Sequence, residues 1–380
     1  MDEVKSGYMR IGIDASRTFE ENPTGTERYA YEITTRLLNL PEARGHEWIL
    51  YTKHKIQTSK LKFPSNVRTQ VVPLKYLWTQ AGLAARTWVD GLDALWVPAH
   101  TLPVFRKPGV KTAVTIHGIE YEWLPAFENP LQRWYLPLST EYAAKTASKV
   151  ISVSKFTKEE LVRRMGVDPE KIEVVWEGMS EDAKVGEKEG RNVLEKYGLE
   201  RGNYLLFVGT VQPRKNLERL IEAYGKLTSE RLKLVIAGKL GWGYDQVVKL
   251  AGQLAGKVVL TGYIEDKERV ILLKSAGIYV QPSITEGFGL PVLEAMAAGI
   301  PVVSSEGGAL KEVLEIPGTG GKYAGVLFDP TDTDDMTDKI KLVVGDERLK
   351  KSLVDRGLRR AGDFSWDKAA RETYNILVNL

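Results

Sequence analysis

The strongest constraint on how this chain folds is a repeated pattern in which a short apolar run breaks at a glycine or polar turn and a stretch of helical periodicity follows. Residues 9–15 (MRIGIDA) are the first such run, and further strands are expected at 47–52, 69–73, 94–98, 111–116, 150–153 and 172–176. A second series starts at 204–209 (YLLFVG) and continues at 232–238, 258–262, 278–282 and 301–304. Strands that alternate with helices imply parallel βαβ units. Between the two series, residues 180–203 lose the strand pattern and gather Glu181, Asp182, Lys184, Glu187, Lys188, Glu189 and Arg191, as expected where a chain crosses between domains. The expected architecture is α/β, with two doubly wound domains at 1–180 and 181–363. A C-terminal helix, 364–380, is capped by Ser365 and packs back toward the N-terminal domain. A length of 380 residues suits two such cores.

Composition removes several chemistries. The chain has no cysteine, which excludes disulfides, thiolate catalysis and cysteine metal sites, and four histidines leave little for a metal cluster. No apolar run approaches the roughly 18–20 residues of a membrane span, so the chain reads as cytoplasmic. A net charge of +3 is too weak to imply a nucleic-acid partner. That charge is uneven, however: between Arg44 and Lys75 stand seven Lys or Arg and one acid, interleaved with Trp48, Tyr51 and Phe63. Two readings fit the basic region 44–75, a solvated face or a peripheral contact with anionic lipid headgroups at the inner face of the membrane.

Candidate chemistry collects at the ends of expected strands, where open α/β sheets bind ligands. Glu286 precedes the Gly287-Phe288-Gly289 turn, and after Leu290 a helix opens at Pro291 and carries Glu294 in its first turn. Taken singly, Glu294 only complements a helix dipole and Glu286 is a loop acid. The loop after the first strand of the second series reads GTVQPRKN, and its Arg214 and Lys215 combine a planar fork with a mobile point charge, which suits a diphosphate. A helix N-terminus repels such cations unless an anion joins them. In the first half, Gly25 and Thr26 start a helix whose amides can meet a phosphate or a sugar hydroxyl, or merely form a cap. His117 sits directly after a strand and before a glycine, a cleft-edge position for a substrate contact or a satisfied structural histidine. The stretch 120–142, with Tyr121, Trp123, Phe127, Trp134, Tyr135 and Tyr142, reads as a lid, an acceptor surface or packing.

The chain lacks a Walker loop, a GxGxxG after the first strand and a nucleophile elbow. Its DxD triplet, Asp332 to Asp334, reads better as a helix cap. The expected site is therefore metal-independent, with Arg214, Lys215 and helix N-termini carrying leaving-group charge.

Taken together, Gly25-Thr26, His117, PRKN at 213–216, EGFGLPVLE at 286–294 and GVLFDP at 325–330 resemble the family 4 glycosyltransferases, also called glycosyl transferases group 1, over nearly the whole chain. The resemblance implies the GT-B fold, with two Rossmann-like domains facing a central cleft, and a retaining transfer from a nucleotide diphosphate sugar. By that resemblance Arg214 and Lys215 bind the diphosphate, and Glu294 accepts from the ribose hydroxyls. Glu286 contacts the donor sugar, while the backbone of Gly287, Phe288, Gly289 and Leu290 holds sugar and phosphate. His117 approaches the sugar from the other domain, and Gly25 with Thr26 lines the diphosphate or acceptor side. Glu286, His117, Lys215 and Arg214 are thus the expected catalytic set, with no cofactor. GDP-mannose is the favoured donor over UDP-glucose or a UDP-N-acetylhexosamine, and the acceptor is a glycan or lipid-linked sugar in polysaccharide biosynthesis. The chain departs from the family pattern at Lys311, where a proline is common, and in the enlarged turn at 317–321. A sugar-nucleotide epimerase and a non-catalytic nucleotide-sugar binding protein remain as alternatives.

Overall fold

The computed structural model describes residues 7–20, 23–56, 62–119, 130–179, 186–227, 231–254 and 256–380, without the side chains of 130–134. Lys60, Tyr121, Trp123, Phe127, the Trp134 side chain, Glu181, Asp182 and Lys184 lie outside the described residues. The chain forms two compact units.

One unit takes the chain up to Ile119, Asn129–Gly178 and Ser365–Leu380. Among its described residues the strands are β1 (Arg10–Asp14), β2 (Glu47–Thr52), β3 (Val67–Val71), β4 (Ala94–Val97), β5 (Lys111–Ile116), β6 (Lys149–Ser152) and β7 (Ile172–Val174). They are parallel and ordered β3-β2-β1-β4-β5-β6-β7. Four of the unit's helices are α1 (Gly25–Asn39), α2 (Ala84–Val89), α3 (Pro130–Thr146) and α4 (Lys155–Met165). Helices on both faces bury the central strands completely, which is why they read as unbroken apolar runs. The same burial corrects one expectation: Trp48 and Tyr51 are core residues of β2, so the basic stretch 44–75 cannot present them to lipid. The edge strand β3 starts two residues before its expected position and buries none of its five residues fully, leaving little apolar signal to place it. A C-terminal helix, Trp366–Val378, lies on α1, with the Trp366 and Tyr29 rings 6.0 Å apart and edge-on.

The other unit, Met179–Phe364, holds β8 (Tyr204–Val208), β9 (Lys233–Ala237), β10 (Val258–Gly262), β11 (Ile278–Gln281), β12 (Val302–Ser305) and β13 (Val326–Phe328). These are parallel in the order β10-β9-β8-β11-β12-β13. Its helices are α5 (Glu187–Lys196), α6 (Leu217–Gly225), α7 (Asp245–Gln253), α8 (Asp266–Ser275), α9 (Leu290–Ala297), α10 (Leu310–Leu314), α11 (Thr333–Gly345) and α12 (Glu347–Ala361). Strand order reverses between β1 and β4 in one sheet and between β8 and β11 in the other. Outside the carboxyl ends of such strand pairs lie the crevices in which doubly wound sheets take ligands.

Candidate active site

In the second unit, the loops leaving β8 and β11 are stitched together at that reversal. After β8, Pro213–Lys215 form a single 3-10 turn. Asn216 follows at φ +57°, a left-handed conformation that asparagine tolerates better than most residues. Its amide donates to the carbonyls of Pro282 (3.0 Å) and Pro330 (2.8 Å), and the Ile284 N–H donates to the Arg214 carbonyl at 2.9 Å. The backbone is thereby fixed before any ligand arrives.

Glu286 is the hub of this junction and is buried. Lys215 Nζ donates to its Oε1 at 2.5 Å and Arg214 donates to Oε2 at 2.7 Å. Ser283 Oγ (2.6 Å) and Gln281 Nε2 (3.1 Å) also donate to Oε1, and Tyr279 donates in turn to Gln281 at 2.6 Å. Burial alone would raise the carboxyl, but the charges of Arg214 and Lys215 outweigh it, and the pKa falls to about 2. The anion that joins the two cations here is the protein's own glutamate, which the sequence reading had left to a ligand. Two cations thus surround one carboxylate at the mouth of the sheet.

The turn after β12 supports Glu286 from below. The Ala309 N–H donates to the Glu286 carbonyl at 2.8 Å, and a Cβ on Gly308, which sits at φ +65°, would come within 2.4 Å of that same oxygen. Only glycine permits this approach. Gly289, at φ +110°, caps α9, whose first turn supplies amide donors. The Phe288 side chain turns away from this turn and packs edge-on against Phe364, 5.6 Å between centroids, so only its backbone is available to a ligand.

Glu294 lies in the second turn of α9, because the helix already starts at Leu290; its expected place in the first turn is corrected. Its partner is Arg269 of α8, in close contact with Oε2, while Arg269 also reaches Asp266 at 3.2 Å. Both side chains of the Arg269–Glu294 pair are largely buried. Arg269 escaped the sequence reading, since DKERVILLKS looks like an amphipathic helix with a solvated charged face. Asp332 Oδ1 accepts from the Asp334 and Asp335 amides at 2.8 and 3.0 Å, so the DxD triplet is a cap.

In the first unit, Gly25 and Thr26 form the first turn of α1 behind the cap Thr24, whose N–H donates to Glu27 at 2.9 Å. Tyr29, one turn on, packs edge-on against His117 at 4.7 Å. His117 Nε2 lies 3.1 Å from the Pro98 carbonyl and Nδ1 lies 3.4 Å from Glu177 Oε1. A carbonyl only accepts, so Nε2 carries a hydrogen. The His117 backbone N–H donates to Nε2 of His100 at 3.2 Å, and the two rings stack. Burial, then the nearby His117, pushes the His100 pKa down to about 3, consistent with a neutral acceptor. Neither His100 nor Glu177 carries a local sequence signal. Arg214, Lys215 and Glu286 are thus one cluster, Glu294 a second on the adjoining helix, and Gly25, Thr26 and His117 share the carboxyl edge of the other sheet.

Comparison with known proteins shows the family of the chain. The model described as "Glycosyltransferase Family 4" matches residues 23–182, and "Glycosyl transferases group 1" matches 191–360. The O-antigen chain mannosyltransferase B of Escherichia coli is 32% identical over 271 residues, covering 70% of this chain and 69% of that protein.

The chain is a family 4 glycosyltransferase.

Solved structures agree on the fold of this family 4 enzyme. A sucrose-phosphate synthase from Thermosynechococcus elongatus superposes with a TM-score of 0.75 at 19% identity, covering 97% of this chain and 98% of its own. Anabaena HepE, solved with UDP and glucose, gives 0.72 at 17% identity, covering 98% of this chain and all of its own. At such identities the likeness carries the two-Rossmann GT-B architecture alone. Among the described residues, no helix is long and apolar enough to cross a membrane.

Proposed function

We propose that this glycosyltransferase moves a hexose, mannose from GDP-mannose in the favoured reading, to a hydroxyl of a glycan or lipid-linked sugar with retention and without a metal or cofactor. The observation that carries the proposal is the buried Arg214–Lys215–Glu286 cluster at the β8/β11 reversal, two cations held by a single carboxylate. A nucleotide diphosphate sugar brings negative charge to these cations; the acceptor oxygen bonds to the anomeric carbon as its bond to the distal phosphate oxygen breaks, and the nucleotide diphosphate leaves with Arg214 and Lys215 stabilising its charge. The leaving phosphate oxygen takes the acceptor's proton on the same face.

Glu286 in this reading orients both cations and reaches the sugar only through them or beside them. Four protein donors and a pKa of about 2 make it a poor proton donor and a hindered nucleophile, which favours the single-face route over the two-carboxylate route of retaining glycosidases. Glu294 accepts from the ribose diol with Arg269 steadying the carboxylate. His117 has both ring nitrogens engaged by Glu177 and Pro98, so in this reading it serves as a fixed edge of the sheet's carboxyl end and not as a hydrogen-bond donor to the sugar. The mannosyl preference rests on the name of the Escherichia coli relative.

The test is thermal unfolding with GDP, UDP and their sugars, followed by assay of released nucleotide with and without acceptor. A nucleotide at 100 times its Kd stabilises by about 2.7 kcal/mol. GDP is expected to stabilise and UDP not. The reverse result reassigns the donor, and acceptor-independent conversion of the sugar points to an epimerase.

A further inference from the structure

The first unit carries an exposed apolar face that the transfer chemistry does not use. Phe105 is 78% exposed, Leu77 72% and Trp88 55%, and Tyr76, Val89 and Val104 of the same two segments are exposed as well. These residues come from two segments that are firmly joined. Trp88 Nε1–H donates to the Phe105 carbonyl at 3.0 Å, the Val104 N–H donates to Gln80 Oε1 at 2.9 Å, and the Lys107 N–H donates to Thr87 Oγ1 at 2.9 Å. The side chains therefore project from a fixed scaffold.

The chain accepts an unfavourable conformation to build this face. Leu77 adopts φ +52°, ψ +30°, a left-handed conformation that penalises any residue with a Cβ. It precedes a π-helical turn, Trp78–Leu83, whose Trp78 is buried and donates to the Val72 carbonyl at 3.0 Å. Trp78 anchors the turn inward while Leu77 is held outward.

Charge selects the occupant. Neither 72–89 nor 99–111 contains an aspartate or glutamate, while both contain cations, of which Lys75 and Lys107 are exposed. Lys75 Nζ stands 5.5 Å from the Tyr76 ring centroid. Aromatic side chains with a cationic rim match the boundary of an anionic bilayer, where rings enter the headgroup layer and ammonium groups meet lipid phosphates.

We propose that this face docks on an anionic lipid bilayer, with Tyr76, Leu77, Trp88 and Phe105 entering the headgroup region and Lys75 and Lys107 binding phosphates. It is distinct from the basic stretch 44–75 apart from Lys75, and it stands independently of the transfer reading.

The test is co-sedimentation of the full chain with vesicles of phosphatidylcholine, with and without phosphatidylglycerol, at low and raised salt. Binding is expected on the anionic vesicles and should weaken with salt. Phe105→Ser should lower the partition coefficient roughly ten- to hundredfold, the loss of one buried aromatic side chain. Brominated lipid should quench part of the tryptophan fluorescence in wild type and less in Trp88→Phe. Circular dichroism and donor turnover with a water-soluble acceptor should be unchanged in Phe105→Ser, which separates this face from folding and chemistry. Equal sedimentation of wild type and Phe105→Ser overturns the proposal. A concentration-dependent dimer that Phe105→Ser dissociates also overturns it, giving the face to a second copy. Vesicle binding without any donor turnover would sink the transfer reading and leave this one standing.

Discussion

Lys215 and Glu286 are 71 positions apart in sequence, and Nζ of one lies 2.5 Å from Oε1 of the other. The contact fixes a lysine that would otherwise sample many rotamers, and it does so from a carboxylate that is itself held by Arg214, Ser283 and Gln281. A preorganised cation costs little reorganisation when charge develops on a leaving group.

Lys215→Ala should therefore reduce transfer by about two orders of magnitude at saturating donor. A steady-state assay of nucleotide release checks it, and an unchanged rate would remove Lys215 from the reaction.

Acid stability should carry the signature of Glu286. Its folded pKa of about 2 lies below the ordinary 4.5, so its stabilising contribution is complete above 4.5 and is lost as pH falls through about 2. Urea unfolding across that window should show a steeper loss in wild type than in Glu286→Gln, which starts less stable but depends less on pH.

His100 works in the opposite sense to a salt-bridged histidine. Its pKa drops from 6.5 to about 3 on folding, so between those values the unfolded chain binds the extra proton and stability declines as pH falls. His100→Asn should flatten the decline that begins below pH 6.5. Denaturation midpoints that keep the same pH slope in both proteins would contradict the assignment.

Arg269→Leu leaves Glu294 buried without its principal partner and should cost about 2 kcal/mol of stability while raising the donor KM. Replacing both residues by leucine should restore most of the stability but not donor affinity. If the double variant binds donor normally, Glu294 has no part in the nucleotide site.

What the sequence disclosed follows from which interactions are local. The runs at β8, β9 and β11 are buried on both faces of a covered sheet, so they stand out as apolar tracts with turns at their carboxyl ends. β13, Val326–Phe328, was missed as a strand because it is three residues long and two of them are only partly buried. The residue types at Arg214, Lys215 and Glu286 were visible, as was their place at strand ends. Their mutual pairing was not, because two loops some 70 residues apart meet only once β8 and β11 lie side by side. Glu177 and His100 were illegible for the same reason: each is an ordinary polar residue until β4, β5 and the chain after β7 bring it to His117.

The route of the chain at Gly178 has a further consequence. A Cβ there would fall 2.0 Å from the backbone nitrogen of Trp366, so the points where the chain leaves the first unit and re-enters it are in backbone contact. Topologically the second unit, apart from 120–128, is an insert spliced into the first at one point. Deleting 179–364 and bridging the gap with a short glycine linker should leave the seven-stranded sheet with its own helices as a separate folding unit.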